Sequence, residues 1–149
     1  MNEARACHAS VEVKKGVLYV FGGYSAPNLL NSIEQYTCNS WKTVLTEQKF
    51  SPRMGLGVVA VKGGVIILGG WGNDYQPLRD VYLLGTESNR IETLKEDVGI
   101  PIHPHYYPVI IEKEQIIVFG DCGTQKVCYM QLPNCEVLKK TSDLKDYIE

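Results

Sequence analysis

Apolar residues along this chain come in short runs of about five, separated by polar turns. Residues 9–13 alternate, with Ala9, Val11 and Val13 separated by Ser10 and Glu12. The run Val17-Leu18-Tyr19-Val20-Phe21-Gly22-Gly23 that follows is apolar throughout. The same arrangement returns twice. Val65-Ile66-Ile67-Leu68-Gly69-Gly70 echoes it closely, and Ile116-Ile117-Val118-Phe119-Gly120-Asp121 more weakly. The first glycines of the three copies lie 47 and then 51 residues apart. No segment of useful length carries a helical 3.6-residue period.

Self-similarity at this spacing predicts a repeat architecture. Each unit has a first strand (9–13, 57–61, 109–111), a short turn, and the apolar second strand. A polar loop and a third segment follow (33–36, 81–84, 127–130), then a fourth (41–44, 90–94, 136–138). Continuous apolarity in the second strand means burial on both faces. Four-stranded sheets covered on both sides must stack between similar sheets, and radial stacking of that kind is a β-propeller. The expected fold is therefore all-β, with twelve strands in three four-stranded antiparallel blades of about 5–50, 51–102 and 103–140, and a charged tail at 141–149.

These residues resemble kelch repeats, whose period is near 50. The diglycine after an apolar strand is Gly22-Gly23 and Gly69-Gly70. The tyrosine and tryptophan a short spacer apart are Tyr36 and Trp41. Arg5 and His8 resemble the family's residues before the first strand, and Arg53 matches the arginine in unit two. Unit three departs, with Asp121 for the second glycine and no tryptophan, and unit two has Ile91 near the tryptophan's place. The resemblance implies a kelch-type propeller whose best-matched residues are scaffold: glycines where a Cβ would block close approach, and Tyr36 and Trp41 as apolar plates locking blade to blade.

Propellers typically have four to eight blades, so three are expected to leave the arc open. Additional blades of a longer protein, a second copy or another partner would close it. The early first strand favours a truncated piece. An uncapped blade face should promote self-association.

Composition changes this picture little. Apolar residues make up 44% of the chain and charged residues 21%, ordinary for a folded domain. Fifteen basic residues against seventeen acidic ones leave no basic excess for nucleic acid. No apolar run approaches the roughly twenty residues that cross a bilayer, and no signal-like segment opens the chain. Five cysteines without a framework point to free thiols and a cytoplasmic location.

Candidate chemistry is sparse. His103 and His105 form the one histidine pair, but a metal site needs three or four convergent ligands, and a loop is the simpler reading. Cys122, Cys128 and Cys135 are spaced too widely for a zinc site. Asp121 beside Cys122 would oppose a thiolate. No catalytic residue, metal or cofactor is expected.

The loops between second and third strands carry residues favoured at interfaces. They nominate Tyr24, Trp71, Asn73, Tyr75 and Arg79 as a partner-binding surface at one end of the propeller. Arg79 would favour a protein or peptide partner carrying acidic residues. The expected function is a protein-interaction module and not an enzyme. The alternatives are a fragment of a propeller enzyme, similar to sialic-acid epimerases or galactose oxidase, or a truncated propeller without function.

Overall fold

The computed structural model describes residues 1–99, 102, 109–112, 114–122, 125–133 and 135–141; in the third unit only some of these are described with their side chains. The first unit runs β1 (Ala9–Lys14), β2 (Val17–Phe21), β3 (Tyr24–Ser25), β4 (Asn28–Leu29), β5 (Ile33–Thr37) and β6 (Ser40–Val44). The second is β7 (Gly57–Val61), β8 (Gly64–Leu68), β9 (Val81–Gly85) and β10 (Arg90–Lys95). The third is β11 (Val109–Glu112), β12 (Gln115–Cys122), β13 (Gln125–Gln131) and β14 (Glu136–Thr141).

Each unit is a four-stranded antiparallel meander, in the orders β1-β2-β5-β6, β7-β8-β9-β10 and β11-β12-β13-β14. The twelve expected strands are joined by two more. The loop after β2 folds back as the hairpin β3–β4, with Tyr24 paired to Leu29 and Ser25 to Asn28. Two-residue strands carry no periodicity, which is why the sequence pattern does not reveal them. The equivalent loop of blade two holds a single 3-10 turn at Asn73–Tyr75.

The sheets pack face to face, with β7 lying against β1 on one side and β11 on the other. First strands are thus innermost and β6, β10 and β14 outermost. The described sheets form a stack and not a closed ring. Between blades one and two, Tyr19, Phe21 and Ile33 meet Val65, Ile67, Leu84 and Ile91, with Phe50 and Leu56 of the connecting segment wedged in. Between blades two and three, Ile66, Leu68 and Val81 meet Ile116, Val118, Cys128 and Met130. Successive side chains of a strand point to opposite faces, so β8 serves both cores. Val65 and Ile67 face one way, Ile66 and Leu68 the other, and none is more than 2% exposed. Complete burial of side chains this size is worth about 1.5–3 kcal/mol each, so β8 anchors the stack.

Among the described sheets, none packs against the remaining face of blade one. The register aligns Leu18 with Tyr36 and Trp41, and Val20 with Glu34 and Thr43. In blade two the same ladder positions are Val65, Leu84 and Ile91, all buried against blade one. Tyr36 and Trp41, cross-strand partners, pack in a tilted arrangement, centroids 5.1 Å apart at 48°. They remain half-buried on the face turned away from blade two. The pair therefore does not lock blade one to blade two, and among the described sheets no surface stands opposite it.

Candidate functional site

The arginines that fit the repeat pattern tie each blade's lead-in segment to its own sheet. Arg53 is fully buried. Its guanidinium donates to Asp80 Oδ1 and Oδ2 at 2.7 and 3.0 Å, to the Gly69 carbonyl at 3.0 Å and to the Ser51 carbonyl at 3.0 Å. It also lies over the rings of Phe50 and Tyr82, 5.6 and 5.2 Å from their centroids. Arg5 repeats the clamp in blade one, donating to the Gly22 carbonyl at 2.8 Å and Glu34 Oε1 at 2.7 Å. Burial pushes the Glu34 carboxyl up. Hydrogen bonds from the Asn2 and Glu3 backbone N–H groups and from Arg5 outweigh it, and hold the group below its usual range. Burial and the neighbouring Asp80 carboxylate push the Tyr82 phenol up.

The clamp ends at blade three. Gly23 N–H donates to the Arg53 carbonyl, and Gly70 N–H donates to the Ile102 carbonyl, at 2.8 and 2.9 Å. Ile102 thus stands where Arg53 stands one blade earlier. By register Lys126 takes the position of Asp80, since Val127 pairs with Phe119 as Val81 pairs with Leu68. A buried arginine needs a partner, and this unit has exchanged both members.

The diglycines are required by close approach. A Cβ on Gly22, at φ +55°, would sit 2.7 Å from the Arg53 carbonyl oxygen. A Cβ on Gly69, at φ +58°, would sit 2.2 Å from that of Ile102. Both glycines let the lead-in of the next blade cross directly over the strand end.

Immediately beyond these crossings lies a groove of about 330 Å³. One wall is Tyr24, Pro27, Asn28 and Leu29 of the β3–β4 hairpin. The other is Gly72 to Tyr75 of blade two, with Pro52 and Met54 beneath. Two consecutive residues with left-handed backbone, Asp74 at φ 59° and Tyr75 at φ 53°, turn the loop outward. Such angles are uncommon for a residue as bulky as tyrosine. They leave Tyr75 74% exposed, opposite Tyr24 at 39%.

The structure brings together three of the five nominated residues, Tyr24, Asn73 and Tyr75. Trp71 does not line the groove. It follows Gly70 as Tyr24 follows Gly23, so it stands one seam further along, with its backbone bridged to Met54 and Pro77. Arg79 is exposed, lies outside the groove, and pairs with Asp97 at 3.7 Å. The expectation of an acidic partner rested on Arg79, and the groove itself has no cation among its described lining residues. Pro52, Met54 and Asp74 were missed by sequence reasoning. Pro52 and Met54 flank a scaffold arginine, which marks them as structural in one dimension, whereas Asn73-Asp74 after a glycine was a legible turn signal.

The other candidates are quickly placed. His103, His105, Tyr106 and Tyr107 lie outside the described residues, as does the tail at 142–149. Cys122 is described only in its backbone. Cys135 is buried, and burial pushes its thiol up. Among the described residues no three His, Cys, Asp or Glu side chains gather as metal ligands would, and no helix is long and apolar enough to cross a membrane.

A family model described as the Kelch motif matches residues 5–44. That span holds the Arg5 clamp, the Gly22-Gly23 crossing and the Tyr36–Trp41 pair. No curated protein matches the chain.

Proposed function

We propose that this chain, a kelch-repeat protein by the match over its first blade and by two further sheets of the same build, acts as a protein-interaction module and not as an enzyme. The observation that carries this reading is the groove between equivalent loops of adjacent blades. Its floor, Pro52 and Met54, flanks the buried Arg53, while Tyr24 and Tyr75 stand out from it. Exposed tyrosines on a rigid frame offer contact area at low entropic cost. Kelch-type modules work as scaffolds through such loops, and a scaffolding role in the cytoplasm fits the free thiols of Cys38 and Cys135.

The uncovered face of blade one takes part in closing the propeller. Its positions repeat those that blade two buries against blade one, so a further sheet of the same kind fits there. Additional blades supply it in a longer chain, and a second copy supplies it for these 149 residues alone. The interaction reading is tested by quantitative capture from extract with wild type, Tyr75→Ala and Tyr24→Ala baits. A hot-spot truncation costs at least about 2 kcal/mol, roughly thirtyfold in affinity. Folded variants that retain every partner at full strength would place the binding surface elsewhere.

A further inference from the structure

We propose that the groove between the β3–β4 hairpin and the Gly72–Tyr75 turn selects a cationic segment, and specifically one that presents an arginine. The inference rests on the interaction reading above and goes beyond it by naming the partner's chemistry.

Three features of the groove agree. Its one carboxylate is Asp74, and no lysine, arginine or histidine is among the described residues that line it. Asp74 sits at the apex of the blade-two turn, exposed. The described structure shows no side-chain hydrogen bond or salt bridge to its carboxylate; only its carbonyl oxygen accepts a bond, from Gln76 Nε2 at 3.4 Å. Two cations of the flanking segments are already used. Arg53, between the lining residues Pro52 and Met54, has its charge matched by Asp80 at 2.7 Å. Arg79 is paired with Asp97 outside the groove.

The second feature is the pair of phenol rings. Tyr24 and Tyr75 line opposite walls and are the two most exposed aromatic side chains among the described large hydrophobics. An aromatic face attracts a cation, and guanidinium more often than ammonium. The third is the set of acceptors: Asn28 and Asn73, each with a side-chain amide oxygen able to accept, join Asp74 on the lining. A guanidinium carries five N–H donors in a fixed planar fork and no acceptor. It can stack on a tyrosine and donate to Asp74 and an asparagine together. A carboxylate in the same place would meet Asp74 with like charge.

The test uses the whole chain and three fluorescent dodecapeptides of one design, a repeating Gly-X-Gly-Pro in which X is Arg, Glu or Gln. Binding is read by anisotropy at low and at moderate salt. The Arg peptide should bind most tightly and lose affinity as salt rises. An exposed ion pair and an exposed cation–π contact are each worth a few-fold. Asp74→Asn and Tyr75→Ala should therefore each weaken the Arg peptide roughly three- to fivefold. Arg79→Ala, outside the groove, should leave it unchanged. All three positions are exposed, so the fold is not at stake. Equal or tighter binding of the Glu or Gln peptide, with loss on Tyr75→Ala, would overturn the cationic preference and leave the interaction module standing. Arg-peptide binding that ignores Asp74→Asn and Tyr75→Ala would overturn the site. Absence of binding by all three peptides would also overturn this proposal, while the capture experiment decides the module independently.

Discussion

Substituting Gly69 by alanine measures how strictly the diglycine crossing is needed, because Gly63 provides an internal control. Both have positive φ, +58° and +79°. Both therefore charge an alanine the left-handed backbone penalty, about 1–2 kcal/mol. They differ in space. A Cβ at Gly63 meets nothing within 4 Å. At Gly69 it falls 2.2 Å from the Ile102 carbonyl oxygen and 2.8 Å from the Ile102 Cβ. That carbonyl accepts from Gly70 N–H, and Ile102 is wholly buried between blades two and three. Relief requires moving backbone in a packed seam, and overpacking of that kind adds about 1–3 kcal/mol. Gly69→Ala should thus lose about 2–5 kcal/mol and Gly63→Ala about 1–2 kcal/mol. Urea unfolding of both variants and wild type, read by tryptophan fluorescence and circular dichroism, gives the comparison. If Gly69→Ala is no more destabilising than Gly63→Ala, the crossing is not the constraint described here.

Three further outcomes follow from the same contacts. Asp80→Ala leaves the buried Arg53 charge without its carboxylate and should cost about 3–5 kcal/mol in urea unfolding; a loss below about 1 kcal/mol would show that the clamp contributes little. Glu34, with its folded pKa held below the usual value, binds a proton less readily folded than unfolded. Its contribution is complete above the ordinary glutamate pKa of about 4.3 and is lost as pH falls through the lower folded value. The stability difference between wild type and Glu34→Gln should therefore shrink on acidification below about pH 4, and a difference that grows there would contradict the assignment. The isolated chain should self-associate through Leu18, Tyr36 and Trp41, and Trp41→Glu should shift sedimentation velocity profiles toward monomer; identical profiles would remove that face from the interface.

The fold was legible because burial on both faces leaves a simple mark. The uninterrupted Val65-Ile66-Ile67-Leu68 run meant a strand between two sheets, and β8 feeds both cores. The diglycines and the arginines of the lead-in segments were equally readable, since backbone crossings and buried cations demand particular residue types. The direction in which a side chain points was less readable. Tyr36 and Trp41 were marked as packing residues, but only the register shows that they face away from blade two. The groove was half legible: Tyr24, Asn73 and Tyr75 stood in the right loops. Arg79 lies in the same loop, yet five residues after Asp74 the chain has already turned toward Asp97. Met54 and Pro52 reach the groove only because the lead-in of blade two passes beneath the hairpin of blade one, a tertiary crossing with no local signature.

The central claim is that partners meet the end of the stack where the hairpin and the 3-10 turn lie, and site-specific photocrosslinking tests it most directly. A photoreactive phenylalanine analogue is placed at Tyr75, at Tyr24, and at Glu87, which lies in the β9–β10 turn at the opposite end of blade two. In cells, the probes at Tyr75 and Tyr24 should yield the same discrete adduct, and the probe at Glu87 should yield none. Adducts at Glu87 alone, or of equal strength at both ends, would contradict the account.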